Sequence, residues 1–104
     1  MSKKGSPDNK QLRAIGHKLK PIVTVAGNGL SDGVLAEVSR ALDDHELIKV
    51  KISVGSRDSR DELLKELLTT CGAELVQRIG NTALILRRNE SPDPVKSNLL
   101  RLLG

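Results

Sequence analysis

Leu47-Ile48-Lys49-Val50-Lys51-Ile52-Ser53-Val54 is the stretch that decides the fold. Ile48, Val50, Ile52 and Val54 alternate with Lys49, Lys51 and Ser53. Successive strand residues point to opposite faces, so this alternation predicts a strand with one covered face and one wet face. A doubly wound parallel sheet buries both faces of its strands and is excluded. Lys49 and Lys51 are therefore expected in solvent on an open sheet face.

Upstream, Ile22-Val23-Thr24-Val25 forms a shorter β-branched run opened by Pro21. It leads into Ala26-Gly27-Asn28-Gly29-Leu30-Ser31, where two glycines and an asparagine require a sharp turn or a close backbone approach. Ser31 or a neighbour caps a following helix. Val34, Leu35, Val38, Ala41, Leu42 and His45 share its inner face, opposite Glu37, Arg40, Asp43 and Asp44. Ahead of the first strand, Ser6-Pro7 reads as an N-cap followed by proline at the first helical position. That helix runs to about Leu19, with Leu12, Ile15 and Leu19 inside and Lys10, Arg13 and His17 as a neighbouring stripe. Gly16 weakens it by roughly 1 kcal/mol relative to alanine.

Downstream, Gly55 ends the alternating strand. Ser59-Arg60-Asp61-Glu62 reads as a capping box for a third helix with Leu63, Leu64, Leu67, Leu68 and Cys71 as its apolar stripe and Gly72 beyond its end. Residues 74–79 and 82–88 read as two strands around Gly80-Asn81. From Asn89 onward, Pro92 and Pro94 oppose regular structure. Leu99, Leu100, Leu102 and Leu103 either dock weakly or serve a partner, and a flexible segment is the expectation. The division is thus a disordered basic tail over 1–6, one folded domain over 7–88 and a flexible tail over 89–104. The fold class is α/β: a two-layer α-β-α-β-α-β-β arrangement with a four-stranded mixed sheet and the first helix at its edge or end.

Composition narrows the function. The chain has 104 residues, 38% of them hydrophobic and none aromatic. Its core must be built from Leu, Ile, Val and Ala. Modules that stack bases on aromatic rings are excluded, so binding to nucleic acid must run through backbone amides, Lys and Arg. The net charge is +4, unevenly spread: residues 1–20 carry +5 and residues 21–48 carry −4. Such polarity suits a protein that turns one face to a polyanion, although a solvated lysine-rich tail has the same signature. Cys71 is the only cysteine, which excludes an internal disulfide and a cysteine-based zinc site. No apolar h-region or membrane-length stretch is present, so the expected location is cytoplasmic.

Catalytic and cofactor chemistry finds little support. Gly27-x-Gly29 lies between strand and helix, but the third glycine of a dinucleotide fingerprint is one residue late, at Gly33, and no acidic residue ends the alternating strand. No Gly-Lys-Ser/Thr follows, which excludes a P-loop. Cys71 falls on an apolar stripe, where free cysteine acts as a small hydrophobe. Asp43-Asp44-His45-Glu46 is rich in ligands, but neighbouring helical residues point in different directions and cannot converge on one metal. No enzyme, cofactor, metal or small-molecule substrate is expected.

What remains is an RNA-binding module without base stacking. His17-Lys18-Leu19-Lys20-Pro21, Val25-Ala26-Gly27-Asn28-Gly29-Leu30-Ser31-Asp32-Gly33-Val34, His45-Glu46-Leu47-Ile48-Lys49-Val50-Lys51-Ile52 and Val76-Gln77-Arg78-Ile79-Gly80-Asn81-Thr82 together resemble the YhbY-like, or chloroplast RNA splicing and ribosome maturation (CRM), domain. The resemblance spans roughly residues 10–88. It implies a fold similar to the C-terminal domain of bacterial translation initiation factor three. It also implies RNA binding and, for stand-alone bacterial members, association with precursors of the large ribosomal subunit. The family's Gly-x-x-Gly loop places its second glycine on Gly29 and its first on Ala26, a departure; the tyrosine common near the last strand's end falls on Leu86. The expected interface joins the amides of Ala26, Gly27, Asn28 and Gly29 to Arg13, His17, Lys18 and Lys20, with Lys49 and Lys51 as a second basic surface or simply solvated lysines. The expected partner is ribosomal RNA or a pre-large-subunit particle, bound by a monomer. The alternative is a protein-binding adaptor that uses the acidic second helix.

Overall fold

The computed structural model describes residues 8–27 and 29–103. Eight elements follow in order: α1 (Asn9–Lys18), β1 (Pro21–Val25), α2 (Asp32–His45), β2 (Leu47–Ile52), α3 (Arg57–Cys71), β3 (Glu74–Ile79), β4 (Thr82–Leu86) and α4 (Asn98–Leu103). The four strands form one mixed sheet in the order β1-β2-β4-β3. β1 runs parallel to β2, while β4 is antiparallel to both β2 and β3. The expected α/β class and four-stranded mixed sheet are thus present.

The alternation of β2 sorts the core into two parts. Ile48, Val50 and Ile52 join Val23, Val25, Ala83 and Ile85 beneath α2 and α3, which contribute Val38, Leu42, Leu64 and Leu67. On the other face, Leu47 joins Leu84 and Leu86 beneath α1 and α4, with Leu12, Ile15 and Leu99 closing the cluster. The second face is therefore open over only part of its length. Lys51 is exposed as expected, Lys49 is half-buried, and the Leu47 end is covered. The sequence pattern concealed this because Leu47 begins the strand in the same parity as the two lysines.

Close approach of α1 explains Gly16. A Cβ at that position would lie 2.5 Å from Leu84 Cδ2. The glycine lets the helix sit down on β4, so it does more than weaken the helix. Several helix ends differ from expectation. The Ser6-Pro7 cap lies outside the described residues, and α1 is capped by Asp8. Asp8 accepts from the Gln11 amide at 2.9 Å and is answered by the Gln11 side chain at 3.0 Å. α3 is capped by Ser56, whose Oγ accepts from Ser59 N–H at 3.1 Å, so Ser59 lies inside the first turn. The earlier serine prevails because each residue added to a helix gains a backbone hydrogen bond. Ser31 caps α2, and Gly72 takes the left-handed conformation past α3 (φ 64°), both as expected.

The largest correction concerns residues 89–104, expected to be flexible. Within the described part, Ser97, Asn98 and Leu99 are buried, and α4 packs on α1 and β2. The anchor is Glu46, at the turn from α2 into β2. Its backbone has a positive φ (φ 64°, ψ −48°) and its side chain is fully buried. Its carboxylate accepts from Asn89 N–H at 2.7 Å and from Ser97 Oγ at 2.6 Å, and Arg88 Nε lies 3.5 Å away. Asn98 Nδ2 donates to Leu47 O at 2.7 Å, and His45 Nδ1 lies 2.8 Å from Lys96 O. Arg87 completes the seam by donating to Ser39 O and Cys71 O, both at 2.8 Å, and to Asp43 at 2.6 Å.

Gly16→Ala should lower unfolding stability by about 1–3 kcal/mol despite the better helix propensity, because the added methyl overpacks Leu84; thermal or urea melts check this. Glu46→Ala should cost about 1–3 kcal/mol by leaving buried donors unpaired. Hydrogen exchange should then show the amides of 97–100 losing protection before those of β2.

Candidate nucleic-acid interface

The expected site residues fall at two ends of one strand. Lys18 ends α1, and Lys20 stands immediately before β1. Ala26 and Gly27 follow the other end of β1. At about 3.3 Å per residue, Lys20 and Ala26 are about 20 Å apart. The helix lysines and the glycine loop therefore do not form one compact patch. Lys49 and Lys51 fill the interval: Lys49 faces Pro21 and Lys51 faces Thr24 across the parallel β1–β2 pair.

Lys18, Lys20 and Lys49 line a single cleft of about 240 Å³, together with Leu19, Ile22, His45, Ile48 and Asn98. Arg13 and His17 do not line it. Arg13 is half-buried on α1 and His17 is exposed. Among the described residues, Lys18, Lys20, Lys49 and Lys51 have no ion-pair partner, whereas Arg78, Arg87 and Arg88 pair with Asp61, Asp43 and Glu46. Unpaired ammonium groups along one edge keep their field for an external anion.

At the loop end, Gly29 N–H donates to Ala26 O at 2.8 Å and Ser31 N–H donates to Gly29 O at 3.1 Å. Gly29 is left-handed (φ 72°), a conformation that penalises any side chain. Gly27 has no atom within 4 Å of where its Cβ would stand, so the fold itself leaves that position free. Ala26 lies just past the last residue of β1 and is exposed. Asn28 lies outside the described residues. Asp32 begins α2 directly behind the loop and places a negative charge at the helix N-terminus.

One basic group escaped the sequence reading. Arg57, Arg60 and Arg78 converge with Gly80 around a cleft of about 570 Å³ at the loop end of the sheet. Arg60 holds the Val54 and Gly55 carbonyls at 3.5 Å, and its buried Nε has no partner among the described residues. Arg57 and Arg60 come from the first turn of α3 and Arg78 from the far end of β3, so only the fold brings them together. Elsewhere, burial pushes the Cys71 thiol up from its ordinary range, with the Arg87 guanidinium acting in the opposite direction. Such a thiol is a poor nucleophile at neutral pH. Asp43 is turned to Arg87 and Glu46 into the core, so the acidic run 43–46 does not converge.

The sequence pattern of the CRS1 / YhbY (CRM) domain matches residues 6–87. The chain belongs to this family. A Pseudomonas aeruginosa protein named a probable RNA-binding protein is 53% identical over 95 residues, covering 91% of each chain. A Haemophilus influenzae protein named an RNA-binding protein is 39% identical over 79 residues, covering 76% of this chain and 80% of its own. The solution structure of a hypothetical Staphylococcus aureus protein superposes with a TM-score of 0.70 at 29% identity, covering 80% of this chain and 86% of that one. The CRM-domain fold expected from the residues is therefore shared by a solved relative.

Gly29→Ala should destabilise the domain by about 1 kcal/mol, because alanine resists the left-handed conformation. Gly27→Val should leave the melting temperature nearly unchanged, which circular dichroism melts on both variants will show.

Proposed function

We propose that this CRM-domain protein binds RNA along the β1–β2 edge, with Lys18, Lys20, Lys49 and Lys51 neutralising successive phosphates and the Ala26–Gly29 loop closing on the backbone at the far end. The observation that carries the reading is the line of unpaired lysines joining the α1 end to the loop end across the register Pro21–Lys49 and Thr24–Lys51. Relatives named as RNA-binding proteins support RNA as the partner. Arg13 and His17 serve as outer contacts beside the cleft, and Arg57, Arg60 and Arg78 extend the basic surface past the loop. Asp32 keeps a phosphate off the α2 axis, so the loop amides do the holding.

The RNA we assign is ribosomal, and the setting is assembly of the large ribosomal subunit by a cytoplasmic, monomeric binding module rather than an enzyme. The acidic α2 is a poorer basis for a protein-binding adaptor, because Asp43 is engaged by Arg87. Crosslinking in cells followed by sequencing of the attached RNA should recover large-subunit ribosomal RNA. Recovery of messenger RNA alone, or of none, overturns the assignment.

Four engaged lysines should give a log–log salt slope of about −3 for single-stranded RNA, at roughly −0.7 per phosphate. Lys18→Gln combined with Lys49→Gln should flatten the slope by about 1.4. Gly27→Val should weaken binding about tenfold at a constant melting temperature, since its side chain meets RNA rather than protein. Filter binding across a salt series measures all three.

A further inference from the structure

The uncovered half of the second sheet face holds a cleft of about 180 Å³, lined by Pro21, Lys49, Gln77, Ile79, Thr82 and Leu84. These residues form two transverse rows. Pro21 faces Lys49, Lys49 faces Leu84 and Leu84 faces Gln77; in the next row Lys51 faces Thr82 and Thr82 faces Ile79. Resting on the RNA reading above, we propose that this cleft seats one unpaired base of the bound RNA, an adenine, with its ring on the aliphatic floor and its edge on the Gln77 amide.

Three observations support the occupant. First, the floor is apolar where solvent reaches it: Ile79 is 56% exposed on an otherwise polar strand end. A chain without aromatic rings must cover a base face with aliphatic groups. Second, the Gln77 amide has no hydrogen-bond partner among the described residues and is only half-exposed. It presents one donor and one acceptor side by side, the pattern that pairs with adenine N6 and N7. Third, Lys49 lines both this cleft and the lysine cleft with Lys18 and Lys20. A nucleotide whose phosphate lies on the lysines places its base on the far side of Lys49. No acidic side chain lines either cleft.

The test uses the full chain. Adenosine, uridine and ribose 5-phosphate are titrated separately while NMR follows the Gln77 side-chain amide and the Ile79 and Leu84 methyl groups. Adenosine should shift all three; ribose 5-phosphate should leave them in place. In parallel, end-labelled oligo(A) and oligo(U) of about ten nucleotides are bound at a fixed salt concentration. Wild type should favour oligo(A) about tenfold, and Gln77→Leu should bring the ratio near one with the salt slope unchanged. Ile79→Ser, at an exposed position that the fold tolerates, should weaken both oligonucleotides about threefold. A wild-type ratio near one, or a preference that survives Gln77→Leu, overturns the base seat while salt-dependent binding keeps the RNA reading. Absence of salt-dependent binding to either oligonucleotide overturns both.

Discussion

The docking of the whole segment after β4 depends on the buried carboxylate of Glu46. The residue stands where α2 must reverse into β2, in a backbone conformation that costs a side-chain-bearing residue about 1–3 kcal/mol. The strain is held because the carboxylate gains two short hydrogen bonds from Asn89 and Ser97, and the backbone carbonyl accepts from Arg87. Those bonds draw a segment more than forty residues distant onto the sheet. Leu99 then joins Leu12 and Ile15 in the smaller core cluster. A glycine here would meet the turn more cheaply but could not recruit the segment that follows β4.

That constraint also determines where the protein is open. α1 and α4 cover the second sheet face at Leu47 and Leu86 and stop before Lys49 and Lys51. A single strand thus belongs to a dry cluster at Leu47, is half-covered at Lys49 and reaches solvent at Lys51. Lys49, Lys51 and the exposed Ile79 lie together in this uncovered strip. By contrast, Arg87 and Arg88 sit near the covered end and are engaged with carboxylates. Arg78, at the opposite end of the sheet, is engaged as well, by Asp61.

The core elements were legible because their signals are local. The alternation of β2, the leucine stripe of α3 and the hairpin around Gly80-Asn81 each fit inside a short window. So did the turn at Gly27 and Gly29. What escaped is built from long separations. The Glu46–Ser97 bond, the Asn98–Leu47 bond and the arginine cluster of Arg57, Arg60 and Arg78 leave no periodic trace. Pro92 and Pro94 correctly deny regular structure to their own neighbourhood, yet they say nothing of α4 immediately beyond. The separation of Lys20 from the glycine loop was equally hidden, since sequence proximity suggested one patch and an extended strand set them about 20 Å apart.

Both breaks in strand register occur in the outermost strands: between Pro21 and Val23 in β1, and between Leu75 and Gln77 in β3. The central β2–β4 pair runs without interruption. An outer strand offers unpaired amides and carbonyls to any passing chain, and a long straight one invites stacking of copies edge to edge. Here Pro21 removes one donor outright, and the bulge at Val76 bends the other border while sending that valine toward the smaller core cluster. Irregularity at the two margins thus discourages fibre-like growth of a sheet whose face must remain uncovered.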